Sequence, residues 1–190
     1  MASSSLIFIT GGVRSGKSRL AERLAVEIAG NKGGQLTYMA TGVPSDTEMQ
    51  QRVDMHKGDR AAGGYRWKTI EQPIQIGRLA DSVSESDIIL LDCVTTLLNN
   101  ELFSSERTWD ESFLTSVKDS IITGILSLKR RAGAMIVVSN EVLNESLKET
   151  NLVFSYGRLL GQIHQKLVKE ADRALLVEAG IPIVMKEVGL

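Results

Sequence analysis

Residues 6–24, LIFITGGVRSGKSRLAERL, join an apolar run to a glycine-rich turn and then to an amphipathic pattern. LIFIT (6–10) reads as a buried strand. From Lys17 onward, Leu20, Leu24 and Ile28 recur on one helical face, with Gly30 as the expected stop. Between them lies GGVRSGKS (11–18), which fits G-x-x-x-x-G-K-[ST] in the strand-to-helix setting that this motif requires. Glycines let backbone N–H groups converge on phosphate oxygens, and the helix that follows points its positive end at them. Gly11, Gly12, Val13, Arg14, Ser15 and Gly16 are therefore expected to cradle a nucleoside triphosphate. Lys17 would reach the β- and γ-phosphates, and the Ser18 hydroxyl would complete a Mg²⁺ shell.

Outward from the cradle, apolar runs alternate with helical patterns. LTYMA (36–40), YRWKTIE (65–71), DIILLDC (87–93) and MIVVS (135–139) read as strands. Residues 44–57 read as a helix with Ser45 and Glu48 spaced as a capping box. A short helix is expected around Ile74 to Leu79, and long amphipathic helices over 109–131 and 151–171. RALLVEAGIPIVMK (173–186) reads as two strands around Ala179 and Gly180. The alternation predicts an α/β protein, a mostly parallel sheet with helices on both faces and an antiparallel edge from the last hairpin. With the cradle after the first strand, the expected fold is a RecA-like P-loop NTPase in one domain, residues 1–190.

Bulk properties exclude several classes. A 43% hydrophobic and 24% charged composition is that of a globular chain able to bury a core. The formal net charge of −1 offers no basic excess for a polyanion, so no nucleic-acid partner is expected. Cys93 stands alone, which rules out an intrachain disulfide framework or cysteine-built zinc site and fits the cytoplasm. The apolar run near the start is too short for a signal peptide or a membrane span.

Asp92 ends the apolar run IILLD, where a carboxylate at the carboxyl end of a neighbouring strand could help to hold Mg²⁺. Cys93 beside it reads as a small core residue. The chain has no N-K-x-D guanine-reading motif and is small for a motor domain, which leaves a small-molecule kinase of unspecified substrate. EMQQRVDMHKGDR (48–60) holds His56. Met49, Val53 and His56 share one helical face, so the imidazole could simply extend an apolar stripe. A neutral imidazole is also a competent nucleophile near pH 7, and Lys57 and Arg60 could neutralise charge on a phosphoryl group.

Several blocks together resemble the bifunctional adenosylcobinamide kinase/adenosylcobinamide-phosphate guanylyltransferase family of cobalamin biosynthesis. They are ITGGVRSGKSRLAE, YMAT, EMQQRVDMHKGDR, WKTIEQP, DIILLDCVTTLLNN, IVVSNEV and GRLLGQIHQKLVKEAD, in that order along the chain. The resemblance implies two reactions: phosphorylation of adenosylcobinamide by GTP or ATP, then transfer of GMP from GTP to adenosylcobinamide phosphate through a guanylylated histidine. Matched residue by residue, that histidine is His56. Ala40, Thr41, Gly42, Lys57, Gly58, Asp59, Arg60, Glu71 and Asp92 would contact nucleotide, and a cytoplasmic homotrimer is implied.

The chain departs from the family pattern at VLNESLKETN (142–151), where a glycine-rich segment is usual, and at His164-Gln165, where N-Q is usual. His164 has no catalytic signal around it and reads as structural. Two rival functions share the cradle: a P-loop small-molecule kinase with His56 idle, and a non-catalytic nucleotide-binding regulator.

Overall fold

A computed structural model describes residues 4–42, 58, 63–141 and 151–188. Seven strands form one sheet: β1 (Ser5–Gly11), β2 (Gln35–Ala40), β3 (Trp67–Glu71), β4 (Asp87–Asp92), β5 (Ala134–Val138), β6 (Arg173–Glu178) and β7 (Ile181–Glu187). Their order is β3-β2-β4-β5-β1-β6-β7. Every neighbouring pair is parallel except β6 with β7. The expected parallel sheet and antiparallel edge are both present.

Alternation along the strands divides the core into two layers. Ile7 and Ile9 of β1, with Ile88, Leu90, Ile136 and Val138, pack beneath α1 (Lys17–Lys32) through Leu20, Ala21 and Ala25. Leu6 and Phe8, with Ile89, Leu91, Met135 and Val137, face the other way. They meet α2 (Val94–Phe103), α3 (Glu111–Arg131) and α4 (Asn151–Glu170) through Leu97, Leu98, Ile121, Ile125, Leu160 and Ile163. Strands covered on both faces explain why DIILLD reads as a continuous apolar run. At its amino end Asp87 is buried and satisfied by Thr37 Oγ1 at 3.0 Å and by Ser84 N at 2.9 Å. Asp92, at the carboxyl end, is left near the phosphate cradle.

Some boundaries differ from expectation. α1 passes Gly30, beside which a Cβ would meet nothing, and stops where Gly33 turns left-handed (φ 67). β3 begins at Trp67, and the short helix is a 3-10 turn over Ile76–Ser82. α3 is capped by the Asp110 carboxylate, which accepts from Phe113 N at 2.8 Å, and its last turn carries Lys129, Arg130 and Arg131. α2 had no counterpart among the expected elements. The helix expected over 44–57, with its capping box, lies outside the described residues, except that Gly58 just beyond it is helical.

Candidate active site

Strand register brings the polar residues to one edge. Glu71 pairs with Ala40, Ala40 with Asp92, Asp92 with Val138, and Val138 with Ile9, two residues before Gly11. The carboxyl ends of β3, β2, β4, β5 and β1 therefore line a single rim, the place where open α/β sheets bind ligands.

The cradle stands on that rim. Gly11 pairs with Val177 so closely that a Cβ would lie 2.4 Å from the Val177 carbonyl oxygen. Gly16 is left-handed at φ 93, a conformation that favours glycine, and Arg14 is left-handed at φ 59. Ser15 N donates to Gly12 O at 3.2 Å, and Gly180 N donates to Ser15 O at 2.9 Å, so the turn between β6 and β7 braces the loop. Ser15 Oγ is buried without a hydrogen-bond partner among the described residues, a donor suited to a phosphate oxygen. Val13 is exposed at the tip.

Lys17 begins α1 and is only 6% exposed. Its Nζ donates to Gly12 O at 2.9 Å. Burial lowers its pKa, while the nearby Asp92 and Cys93 pull it back up. A desolvated ammonium in this position attracts a polyphosphate more strongly than an exposed one could. Asp92 Oδ2 accepts from the Tyr38 hydroxyl at 3.1 Å. Ser18 is half-buried on the first turn of α1. Among the described residues no group of three or more His, Cys, Asp and Glu is placed to hold a metal. A Mg²⁺ that keeps its waters and phosphate oxygens needs fewer protein donors, and one hydroxyl with one carboxylate suits it.

The other expected contacts separate. Thr41 is fully buried, and its hydroxyl is already committed: it accepts from Cys93 N and donates to Cys93 O, each at 2.8 Å. Asn100 Nδ2 donates to Thr41 O at 2.8 Å. Thr41 thus ties the end of β2 to the start of α2. Ala40 and Gly42 flank it on the rim, half-buried, and Glu71 is exposed at the end of β3. Gly58 is exposed. His56, Lys57, Asp59 and Arg60 lie outside the described residues. Cys93 is buried, and its thiol pKa is raised by that burial and by Asp92, as a core residue's would be.

A second polar group had been missed. Ser139, Asn140 and Glu141 continue β5 along the cradle: Ser139 N donates to Ile9 O and Glu141 N to Gly11 O, each at 2.9 Å. Thr95, at the start of α2, lies 3.0 Å from Ser139 Oγ and accepts from Asn140 N at 2.9 Å. The Tyr156 hydroxyl donates to Thr95 O at 3.1 Å, and burial raises its pKa to about 12. His164 Nε2 lies 2.7 Å from Ser139 Oγ. The available signal was a polar S-N-E immediately after the apolar MIVV, at a strand's carboxyl end.

A glycine-rich loop at the end of β1, a buried lysine and a strand-end aspartate one strand beyond its neighbour define a RecA-like P-loop nucleotide-binding protein. A solved ATPase domain has the same fold, with TM-score 0.54 over 98% of this chain and 78% of that one at 10% identity. Residues 7–185 match the cobinamide kinase/cobinamide phosphate guanyltransferase family, and the chain belongs to it. It is 32% identical over 188 residues to the bifunctional adenosylcobalamin biosynthesis protein CobU of Salmonella typhimurium, covering 95% of this chain and 99% of that protein. It is 33% identical over 179 residues to the bifunctional adenosylcobalamin biosynthesis protein CobP of Pseudomonas aeruginosa, covering 94% and 95%.

Proposed function

We propose that this chain, as one catalytic domain, phosphorylates adenosylcobinamide and then converts the product to adenosylcobinamide-GDP. The observation that carries the reading is the rim itself, where a phosphate cradle with a desolvated Lys17 faces Asp92 in a chain of this family. Gly11 to Ser18 hold the triphosphate of ATP or GTP, and Lys17 stabilises charge that builds on the transferred phosphoryl group. Ser18 and Asp92 would hold Mg²⁺, which supplies charge neutralisation at the phosphates when bound. Ala40, Gly42, Glu71 and the stretch Lys57 to Arg60 contact the guanine nucleotide. Thr41 supports them from behind, because its hydroxyl is committed to the Cys93 backbone rather than to the nucleotide.

His56 carries the second reaction. Its imidazole attacks the α-phosphorus of GTP, forming an N–P bond as pyrophosphate leaves. The phosphate oxygen of adenosylcobinamide phosphate then displaces the imidazole. The enzyme works as a homotrimer in the cytoplasm. Among the described residues no helix is long and apolar enough to cross a membrane.

α-Labelled GTP tests the proposal. Protein quenched during turnover is expected to carry label that survives alkali and is lost in acid, and His56→Ala should carry none. Cobinamide phosphate formed without any labelled protein would leave a kinase alone. Nucleotide binding without a cobinamide product would leave only a regulator.

A further inference from the structure

The cluster behind the cradle closes on itself. His164 is buried on α4, its ring tilted against Phe8 with centroids 5.2 Å apart. Its Nδ1 lies 4.0 Å from Glu141 Oε1, and its Nε2 lies 2.7 Å from Ser139 Oγ. A carboxylate near Nδ1 favours the proton there, which makes Nε2 an acceptor. One direction then satisfies each hydroxyl. Asn140 N–H donates to Thr95 Oγ1, Thr95 to Ser139 Oγ, Ser139 to His164 Nε2, and Nδ1–H faces Glu141. The chain starts and ends within the three residues that run beside the cradle.

Glu141 is the member that faces outward. Its backbone N–H is fixed to Gly11 O at 2.9 Å, and Oε1 accepts from Thr10 Oγ1 at 3.2 Å. The side chain stays 26% exposed, and Oε2 has no hydrogen-bond partner among the described residues. Strand alternation puts Glu141 on the sheet face covered by α2, α3 and α4, whereas Asp92 and Lys17 share the α1 face. Asp92 Oδ2 already accepts from the Tyr38 hydroxyl at 3.1 Å and lies beside the Lys17 charge. Glu141 has no lysine or arginine paired with it among the described residues.

We propose that Glu141 accepts the proton of the substrate hydroxyl in the kinase step, and that His164 is the positioning residue that aims it. The proposal rests on the kinase reading above. In that step the alcohol oxygen forms a bond to the γ-phosphorus while the bond to the β,γ-bridging oxygen breaks. The electron pair leaves on the nucleoside diphosphate, and the hydroxyl proton passes to the Glu141 carboxylate and then to water.

Steady-state phosphorylation of cobinamide by the full-length enzyme tests this. Glu141→Gln is expected to lower kcat roughly 100-fold, with the nucleotide KM within about twofold. His164→Phe, which keeps the packing on Phe8, should lower kcat about tenfold at unchanged nucleotide KM. His164→Gln, whose amide can reach Ser139, should restore most of that loss. The double variant His164→Phe/Glu141→Gln should be no slower than Glu141→Gln alone. Glu141→Gln within threefold of wild type would overturn the proposal, as would a double variant slower by the full product of the two losses. If the wild-type enzyme makes no cobinamide phosphate, the kinase reading itself fails and this inference fails with it.

Discussion

Gly11→Ala is expected to damage the cradle from beneath, and the structure sets the size of the effect. The new methyl carbon would lie 2.4 Å from Val177 O and 2.8 Å from Ser15 Oγ. Ser15 could turn its hydroxyl away, but the carbonyl belongs to β6. Moving from 2.4 to the 3.0 Å that real contacts require displaces β1 or β6 by at least 0.6 Å. Overpacking of this kind costs about 1–3 kcal/mol. For a chain of this size, about 2 kcal/mol corresponds to a Tm lower by roughly 4–8 °C. A cradle moved by most of an ångström should also lose on the order of 100-fold in turnover. Gly12→Ala is the control inside the same loop, because a Cβ there meets nothing within 4 Å. Its Tm should stay within about 1–2 °C of wild type, since substitutions without a clash shift stability by about 0.5 kcal/mol or less. Differential scanning calorimetry of the two variants, with a steady-state turnover assay, reads both effects. Equal Tm values for Gly11→Ala and wild type, with equal turnover, would refute the reasoning.

Three further outcomes are expected. Thr41→Val keeps the side chain's shape but strands Cys93 N–H, at about 1–3 kcal/mol, while Cys93 O keeps its bond from Leu97 N at 3.0 Å; Thr41→Ser should recover most of the loss in urea unfolding. Burial lowers the His164 pKa from 6.5, against the pull of Glu141, so the neutral ring is the form that the fold favours. Its contribution is complete above about pH 6.5 and is lost as pH falls through the folded value. The stability gap between wild type and His164→Gln should narrow over that range, and a gap that widens on acidification would contradict the sign. Cys93 should resist alkylation in the native protein and react after denaturation, because burial and Asp92 both disfavour its thiolate. Native labelling as fast as that of a free thiol would place the side chain elsewhere.

Much of the fold was legible because it depends on short-range pattern. The cradle is contiguous, and apolar runs such as DIILLD and MIVV mark strands covered on both faces. α2 was not legible: two threonines and two asparagines dilute VTTLLNNELF, although Val94, Leu97, Leu98 and Leu102 are all buried. Gly30 looked like a stop only because open space around a glycine leaves no trace in sequence. Lys17 and Asp92 follow from a motif and a strand end. Thr41 carries the same letter whether its hydroxyl meets a ligand or the backbone of Cys93, and only the fold decides between them. His164 read as structural, but its partners Ser139 and Glu141 come from another strand's end and could not be assigned to it from spacing.

The hairpin turn that touches the cradle couples two distant parts of the chain. Ser15 follows the first strand of the sheet, yet the amide that seats its carbonyl belongs to Gly180, at the β6–β7 turn. Closing so long a loop is slow, so competence to hold a triphosphate arrives late on the folding pathway. A triphosphate would then act as a folding ligand, drawing partly assembled molecules toward the state in which the seventh strand has docked.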